Sequence, residues 1–588
     1  MSTVPGTPPR AARVAAALLL ALPGAMPGAT PAAAQTASQI TPRTFEPAPP
    51  TLGGTVVFSG RPGLEAPPGA DRLSITISGV SVDGGLPDMA PATAALEQRL
   101  VGRPVPVSEI FVAAQTLEEA YAQAGYVLAR VVIPEQSLRN GERLRLVVVN
   151  GFIEKLDTAG IPEPVRGRIE RVVQPLVGRR SLKLGEIERR LLIAGDTYGV
   201  SLRSALSPGD ESGGAVLVVE GDFHPVTGSV GVDNTLADEL GTWTLATGVE
   251  INSPFRLGET IYLRASGYPG GDGEGGLGGL FTGYPRTRTL AAGAVFPIGA
   301  NGLTLNLEAT DSRTTPEPTD GIQTRTEFQR LSLRAFYPVI RSRAVNLNAG
   351  VIFDAQSEEQ HLMLPDDSDL TFSEDDLRIF RLTGDYRREF VSGAVLFARA
   401  TASFGIDGLG ARGEEDVDFP TLSRQGADAD FQKLEVAARW DQAIREHLAY
   451  SLYGRAQTSF GQVMTTSEQF GIASFQELST FDAGTLGGDS GWIVRGDLQS
   501  PWARQVGATP LIVTPYAFGA TGSLHLEEPT ALEEANLGVG ALGVGLSLGA
   551  IRDPGFSDAT LTFEFGRAYR DDDGPDENRF TVVGSFQF

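Results

Sequence analysis

From Pro225 to Phe588 the chain is a series of strand-length segments in which apolar and polar side chains alternate. There are about sixteen such segments of roughly ten residues each, the length of a tilted membrane-spanning β-strand. One segment alternates leucines with polar residues: Leu303, Thr304, Leu305, Asn306, Leu307 and Glu308. A period of two places the apolar side chains on one face of a sheet and the polar ones on the other. We therefore predict a 16-stranded antiparallel β-barrel over residues 225–588.

The two ends of the chain bear on whether this barrel lies in water or in a membrane. Near the amino terminus, Arg10 and Arg13 precede a short apolar run, and Ala32 to Ala34 offer a cleavage site, so residues 1–34 are predicted to be a signal peptide. No later stretch has the roughly 18 uninterrupted apolar residues of a spanning helix. The last strand ends on aromatic Phe588. Export, an even strand number and this terminus favour a transmembrane barrel over a soluble one.

Composition excludes several function classes. The net charge of −24 argues against nucleic acid as a partner, because phosphate binding requires a basic surface. There is no cysteine, and the four histidines lack metal-ligand spacing. We therefore expect no metal, no cofactor and no catalytic residue. The acidic stretches are interpreted as solvated loop tips, with divalent-ion bridging to anionic lipid headgroups or a weak Ca²⁺ site as the alternative.

Two short motifs imitate enzyme sites without their context. Gly488–Gly491 copies the nucleophile segment of chymotrypsin-like proteases, but no histidine lies in a setting typical of that family's base. Gly538–Gly543 matches G-x-G-x-x-G inside a glycine-rich strand with no helix after it. We interpret the first as a turn and the second as close strand packing.

Between the signal peptide and the barrel, the pattern changes twice. Residues 35–72 are rich in Pro, Gly, Thr and Ala and are predicted to be a flexible linker with no fold of its own. Residues 73–150 and 151–222 contain a repeat, Leu100 to Arg103 and again Leu176 to Arg179. Both copies are predicted to have the order β-α-α-β-β. In the first copy, Ser108 is expected to cap a helix, and a strand is expected over Tyr126 to Ile133.

Four segments resemble one known family: Gly125–Gln136, Asn150–Leu156, Gly231–Asn234 and Gly487–Leu498. They are similar to the haemolysin secretion/activation outer-membrane proteins, the transporters of two-partner secretion in the Omp85 superfamily. The resemblance covers the chain from about Leu73 to Phe588. It implies two polypeptide-transport-associated (POTRA) domains in the periplasm, residues 73–150 and 151–222, before the outer-membrane barrel. It also implies a long loop at about 459–490 that plugs the barrel.

The resemblance further implies partners and an activity. The expected cargo is a large secreted exoprotein, such as a haemolysin or an adhesin. It is expected to cross the barrel unfolded and without nucleotide hydrolysis. Whether the transporter also activates this exoprotein is left open. Outer-membrane lipids and the barrel assembly machinery are the other expected partners, and the chain is expected to be a monomer or a weak dimer. The closing strand, with Phe580, Phe586 and Phe588, is interpreted as the assembly signal.

Candidate cargo-binding residues lie in the first POTRA copy. An extended polypeptide adds to an exposed strand edge through main-chain hydrogen bonds. The candidate positions are Tyr126, Arg130, Val131, Ile133 and Gln136. The same residues also suit the buried middle of a sheet, so both interpretations stay open.

The plugging loop departs from the family pattern at its tip. In the family, an Arg at the tip pairs with an Asp on a later strand; here the tip aligns with Leu478, Ser479, Thr480 and Phe481, so Ser479 stands at the Arg position, and Ala520 stands at the Asp position. Losing both charges of a buried pair can be nearly neutral, whereas losing one costs about 3–5 kcal/mol. We therefore expect a divergent lock that is held by neutral contacts or is absent.

Two functions of other classes compete with secretion. One is an insertase for outer-membrane proteins, against which the presence of two POTRA copies rather than a longer array argues. The other is a passive porin or receptor, for which POTRA copies have no use.

Overall fold

The computed structural model describes residues 35–48, 57–58, 66–137, 139–270, 281–318, 322–364, 368–416, 419–507, 509–531, 533–553, 556–572 and 578–588. The predicted signal peptide lies outside these residues and stays a prediction.

Two α+β units form the amino-terminal part of the chain. The elements up to the end of the first unit are α1 (Ala37–Ile40), β1 (Val57–Phe58), β2 (Ser74–Ile75), β3 (Gly79–Asp83), α2 (Ala90–Leu100), β4 (Val105–Pro106), α3 (Val107–Gln123), β5 (Arg130–Val132) and β6 (Arg143–Val149). The second unit has β7 (Phe152–Asp157), α4 (Glu163–Val173), α5 (Leu184–Gly195), β8 (Val200–Pro208) and β9 (Gly214–Phe223). Apart from the two-residue strands, each unit has the predicted order β-α-α-β-β.

Each unit packs its two helices on one face of a small sheet. The strand order is β3-β6-β5 in the first unit and β1-β8-β9-β7 in the second. Helix α3 buries Ile110, Ala114, Leu117 and Tyr121, which recur every three or four residues and so lie on one helix face. This face packs on buried strand residues such as Leu144.

Two local predictions in the first unit are wrong. Ser108 does not cap α3, because the helix begins at Val107 and Pro106 is its N-cap residue. The strand expected from Tyr126 to Ile133 is confined to Arg130–Val132. Its first half is a turn instead, in which the Ala129 N–H donates to the Tyr126 carbonyl at 3.0 Å.

The rest of the chain closes into an antiparallel barrel. Its segments are β10 (Val226–Asp233), β11 (Thr244–Asn252), β12 (Thr260–Gly267), β13 (Thr287–Ile298), β14 (Leu303–Thr314), β15 (Gln323–Arg341), β16 (Val345–Met363), β17 (Asp369–Glu389), β18 (Val395–Gly405), β19 (Gln432–Arg445), β20 (Leu448–Thr458), β23 (Ser490–Gln499), β24 (Trp502–Val506), β25 (Thr509–His525), β26 (Asn536–Asp553), β27 (Ser557–Arg570) and β28 (Asn578–Gln587). Two further short strands, β21 (Phe470–Gly471) and β22 (Gly487–Gly488), pair with each other inside the loop between β20 and β23.

The barrel has sixteen strands, as predicted. Segments β23 and β24 both pair with β25 and are halves of one strand, so seventeen segments make sixteen strands. The interruption falls at Ser500 and Pro501, and proline has no N–H to offer the ladder.

Exposure shows which barrel face is which. Leu307 and Leu331 are 51% and 53% exposed, whereas Asn306 and Glu308 are each 1% exposed. The apolar side chains therefore point outward and the polar ones fill the lumen, the arrangement of a barrel in lipid. None of the described helices is both long and apolar enough to cross a membrane.

The first and last strands meet at the barrel seam. Ser229 to Asp233 pair with Gln587 to Val583, and Gly228 and Phe588 exchange main-chain hydrogen bonds below them. A Cβ atom on Gly228 would lie 2.8 Å from the Phe588 ring, so a larger residue there would have to displace that ring. Phe580, Phe586 and Phe588 are exposed on the outer face of β28.

The second α+β unit is fixed to one mouth of the barrel by arginines. Arg189 donates to the Pro338 carbonyl at 2.7 Å and Arg190 to the Ala300 carbonyl at 2.8 Å. Arg168 donates to the Gly299 carbonyl, and burial lowers the pKa of its guanidinium to about 10. These bonds to main-chain carbonyls hold the unit at that mouth of the barrel.

Candidate functional site

Two segments of the chain occupy the lumen, and together they form the candidate site. The first is residues 35–48, called the plug segment. The second is residues 459–489, between β20 and β23, called the plug loop. The prediction that residues 35–72 have no fold of their own is corrected for the plug segment, whose main chain is bonded to the barrel wall.

The first turn of the plug segment is anchored by a carboxylate of the wall. Helix α1 carries a capping box formed by Thr36 and Gln39. The Ser38 N–H and Oγ both donate to Glu358, at 3.2 and 2.9 Å. The Gln35 amide donates to the Ala483 carbonyl of the plug loop. The two lumenal segments are therefore bonded to each other as well as to the wall.

Further along, the plug segment crosses a charged cluster of the lumen. The Phe45 N–H donates to Glu308 at 2.9 Å, and Arg334 donates to the Arg43 carbonyl at 3.0 Å. Arg334 and Glu308 also form an ion pair at 3.0 Å, and the Tyr262 hydroxyl donates to Glu308 at 2.8 Å. Because the wall binds main-chain groups here, the plug segment needs no sequence periodicity of its own.

Where the plug segment leaves the lumen, it meets the second α+β unit. The Tyr198 hydroxyl donates to Glu46 at 3.1 Å. Burial, reinforced by the negative charge of Glu46, raises the pKa of Tyr198 well above its usual value. Tyr198 therefore stays a neutral donor at physiological pH.

Replacing Tyr198 with phenylalanine will loosen this end of the plug segment. A buried carboxylate that loses a hydrogen-bond donor costs about 1–3 kcal/mol. We expect faster hydrogen exchange over residues 42–48, measured by mass spectrometry. Tyr450→Phe, on the outer face of β20, is the matched control and should leave exchange there unchanged. Equal exchange in both variants would show that Tyr198 does not anchor the segment.

The base of the plug loop is held by an acidic residue that sequence analysis missed. Glu468 is 3% exposed and pairs with Arg381 and Lys433, each at 2.7 Å. Gln356 also donates to Glu468 at 3.0 Å, and Asp354 binds the other side of Arg381 at 2.8 Å. In sequence Glu468 is one acidic residue in a variable loop, and only the closed barrel brings its partners together.

The middle of the plug loop combines a second ion pair with an apolar contact. Glu477 pairs with Arg455 of β20 at 2.6 Å. Phe470 and Ile472 are fully buried, in a cluster that includes Phe518 of β25. The loop is thus a packed part of the barrel interior.

The predicted tip residues lie together against the last strands. Leu478 is fully buried and belongs to the same apolar cluster as Ala520. Ser479 donates to Glu564 of β27, and its carbonyl accepts from Thr581 of β28 at 3.0 Å. Thr480 is buried beside Gly566. Phe481 is partly buried at the edge of the cluster.

An ion pair of the barrel wall meets the tip, which corrects the expected neutral lock. Arg495 lies opposite Ala520 in the β23–β25 ladder and pairs with Glu564 at 2.6 Å. Its guanidinium also donates to the Ser479 hydroxyl at 3.3 Å and stacks over the Phe518 ring at 4.1 Å. An arginine of the wall thus binds the tip at the position where the tip itself carries Ser479.

Arginine at position 479 will therefore expel the tip. The Ser479 side chain is enclosed, and a second guanidinium beside Arg495 adds overpacking of about 1–3 kcal/mol to the charge repulsion. We expect Ser479→Arg to make the plug loop sensitive to proteinase K, with part of the protection recovered when Ala520→Asp is added. Gln476→Arg, at an exposed position of the same loop, should stay protected. Equal digestion of both single variants would contradict this account.

The outer end of the plug loop is tied to two other loops by Asp489. This fully buried carboxylate accepts from Arg424, the Met464 N–H and the Glu527 N–H, at 3.2, 2.9 and 2.7 Å. The protease-like motif that contains Asp489 thus lies where three loops are joined by hydrogen bonds.

The POTRA candidates are only partly on a free edge. Strand β5 lies at the edge of its sheet, but Val131 is buried and its N–H donates to Glu118 at 2.9 Å. Tyr126 is buried, with its hydroxyl on Asp88 at 2.5 Å, and Gln136 pairs its amide with the Arg145 main chain. Arg130 and Ile133 are partly exposed. Binding of cargo at these five positions stays a prediction.

Comparison with known proteins identifies the family. The sequence model described as "Haemolysin secretion/activation protein ShlB/FhaC/HecB" matches residues 213–548, and that of the "POTRA domain, ShlB-type" matches residues 75–151. The chain belongs to this secretion family. Members of the family are transporters, and this transporter is an outer-membrane barrel with its POTRA units in the periplasm.

The sequences of individual relatives align with most of this chain. The outer membrane transporter CdiB of Escherichia coli O6:K15:H31 is 23% identical over 519 residues, which cover 87% of this chain and 80% of that protein. The hemolysin transporter protein HpmB of Proteus mirabilis is 23% identical over 399 residues, which cover 66% of this chain and 65% of that protein.

Solved structures show the same fold. CdiB from Escherichia coli superposes with a TM-score of 0.66 at 19% identity and covers 94% of both chains. CdiB from Acinetobacter baumannii superposes with a TM-score of 0.58 at 15% identity and covers 98% of this chain and 97% of that one.

Proposed function

We propose that this transporter captures a large unfolded exoprotein in the periplasm with its POTRA units and passes it outward through the lumen. The observation that supports this most is the way the lumen is closed. Both occupants are peptide segments held by discrete ion pairs and main-chain hydrogen bonds to the wall. A pathway that binds extended peptide through its wall is suited to another extended peptide once those segments leave.

The same observation counts against a passive porin. A porin needs a water-filled lumen, whereas Glu468 and Glu308 of this lumen bind peptide segments of the chain itself. The step proposed for the cargo is binding and passage, so no bond-breaking chemistry, metal or cofactor is required of the residues described.

The remaining partners follow from the barrel surface. The outward apolar band would contact outer-membrane lipids, and the exposed Phe580, Phe586 and Phe588 would be read by the barrel assembly machinery. We propose a monomer as the working unit, because plug, seam and POTRA contacts are all completed within one chain.

Coexpression tests this function. The candidate partner is a large exported protein encoded beside the transporter, where the genome supplies one, and its amount in the medium is compared for the intact chain and a variant lacking residues 73–220. We expect loss of secretion in the variant, while heat-dependent mobility in SDS gels shows that its barrel is assembled. Equal secretion by an assembled variant would refute capture by the POTRA units.

A further inference from the structure

The two larger sheets of the periplasmic units, β3-β6-β5 and β8-β9-β7, have four edges, and the accessibility of these edges differs. In the first unit the Val131 N–H of β5 donates to Glu118 at 2.9 Å, and the Val80 N–H of β3 donates to Glu97 at 3.2 Å. In the second unit, β7 is covered by residues 177–180, whose Gly178 N–H donates to the Ile153 carbonyl at 2.8 Å. Side chains or a loop of the same unit therefore cover three of these edges.

The fourth edge, on β8, is covered by a strand. Val57 and Phe58 pair parallel to β8, with Val57 opposite Ala205 and Phe58 opposite Leu206. These two residues precede both POTRA units in the chain, so they come to this sheet as an added strand. The edge of β8 is thus shown accepting an extended peptide.

Within the described residues, the added strand covers two positions of the available edge. On its other side β8 pairs with β9 at nine positions, whereas β1 pairs with two of those nine, which leaves seven without a β1 partner. Each further residue pair of a ladder adds main-chain hydrogen bonds, and these bonds do not depend on sequence. A longer extended peptide can therefore bind this edge more tightly than Val57–Phe58 does.

The same stretch of chain also leads to the lumen. Tyr198, just before β8, holds Glu46 of the plug segment, and Ala205 lies opposite Val57 further along β8. The Tyr198 contact is thus at the start of β8, and the Ala205 contact is within it. Displacing Val57–Phe58 removes one of the contacts by which the described residues of this part of the chain are held to the second unit.

We propose that the edge of β8 is the strand-accepting surface of the periplasmic region and that Val57–Phe58 is its internal occupant. An extended segment of the exported protein, running parallel to β8 and without proline in the paired stretch, replaces that occupant and so loosens the plug segment. This inference rests on the function proposed above and assigns capture to the second POTRA unit rather than to Tyr126–Gln136.

Cross-linking tests the internal occupant. The chain contains no cysteine, so Val57→Cys combined with Ala205→Cys gives one thiol pair in the purified full chain. With a short bis-maleimide we expect this pair to react about tenfold faster than Val57→Cys combined with Val132→Cys on β5, because proximity raises the effective concentration of the thiols. Equal rates for the two pairs would overturn the proposal.

Competition tests the exchange. The probe is a synthetic peptide with the sequence of residues 52–63, and the control peptide has proline in place of Val57 and Phe58. We expect the saturating probe to slow cross-linking between positions 57 and 205 about tenfold and the control to leave it unchanged, since an intramolecular strand is displaced once a competitor exceeds its effective concentration. No slowing by the probe, or equal slowing by both peptides, would refute exchange at this edge.

Secretion by the same double variant separates this inference from the function. With a reducible cross-linker, we expect secretion of the coexpressed partner to stop on cross-linking and to return on reduction. Secretion that continues when cross-linked would refute the inference but leave the transporter function intact. An assembled wild-type chain that does not secrete the partner would instead count against the function, whatever the cross-linking rates are.

Discussion

Replacing Glu468 with alanine will release the base of the plug loop and open the lumen. The change leaves Arg381 and Lys433 without their shared carboxylate, and breaking a buried ion pair costs about 3–5 kcal/mol. Water can hydrate both cations only if the loop moves away, so the loop is displaced while the barrel persists. We expect a large rise in single-channel conductance in planar bilayers.

The control for this prediction is another glutamate of the barrel. Glu446 has a side chain that is 89% exposed and lies 4.0 Å from His447. Glu446→Ala should leave the conductance at the wild-type level, since exposed pairs contribute about 0–1 kcal/mol. A closed channel in the Glu468 variant would mean that the remaining loop contacts are sufficient.

The Arg495 and Glu564 pair will show strong coupling in a double-mutant cycle. Arg495→Met leaves a carboxylate that is 2% exposed without its cation, whereas Glu564→Met leaves the guanidinium paired only with Asp497, 3.0 Å away. Arg495→Met should destabilise the barrel by about 3–5 kcal/mol, and the double change should cost less than the sum of the two single changes because the Glu564 carboxylate is then no longer left without its cation. The measurement is the urea midpoint for loss of compact mobility in SDS gels.

A matched exposed pair calibrates the cycle. Arg439 and Asp441 are 3.0 Å apart with both side chains 44% exposed. The same cycle at that pair should give a coupling of about 0–1 kcal/mol. If the destabilisations caused by the two single changes at Arg495 and Glu564 are additive, the wall ion pair does not act as a unit. The account in which this pair holds the loop tip is then wrong.

Much of the architecture was predictable because its signals are local. The period of two fixes strand faces wherever it is unbroken, and the repeated Leu100 and Leu176 segments fix two copies of one unit. Errors arose where local patterns compete: Ser108 is a good cap residue, but the short strand β4 ends at Pro106, which takes the cap position instead.

The candidate site was predictable only in outline. Sequence analysis placed the loop tip at Ser479, and the structure brings Leu478 of that tip into one apolar cluster with Ala520. The ion pair that meets the tip could not be predicted. Its two residues, Arg495 and Glu564, are 69 residues apart, and each is one polar residue of an alternating strand. Whether their side chains meet depends on the register and curvature of the strands between them.

The sequence by itself determined a barrel with a polar lumen, because alternation and composition act residue by residue. Only the tertiary structure decided what fills that lumen. Residues 35–48 have no periodic pattern. The wall binds them through their main chain, as the Glu308 carboxylate binds the Phe45 N–H, and main-chain binding needs no periodic side chains. Glu468 gains its role from cations on two other strands. Such contacts are set by closure of the sheet, which no local stretch of sequence encodes.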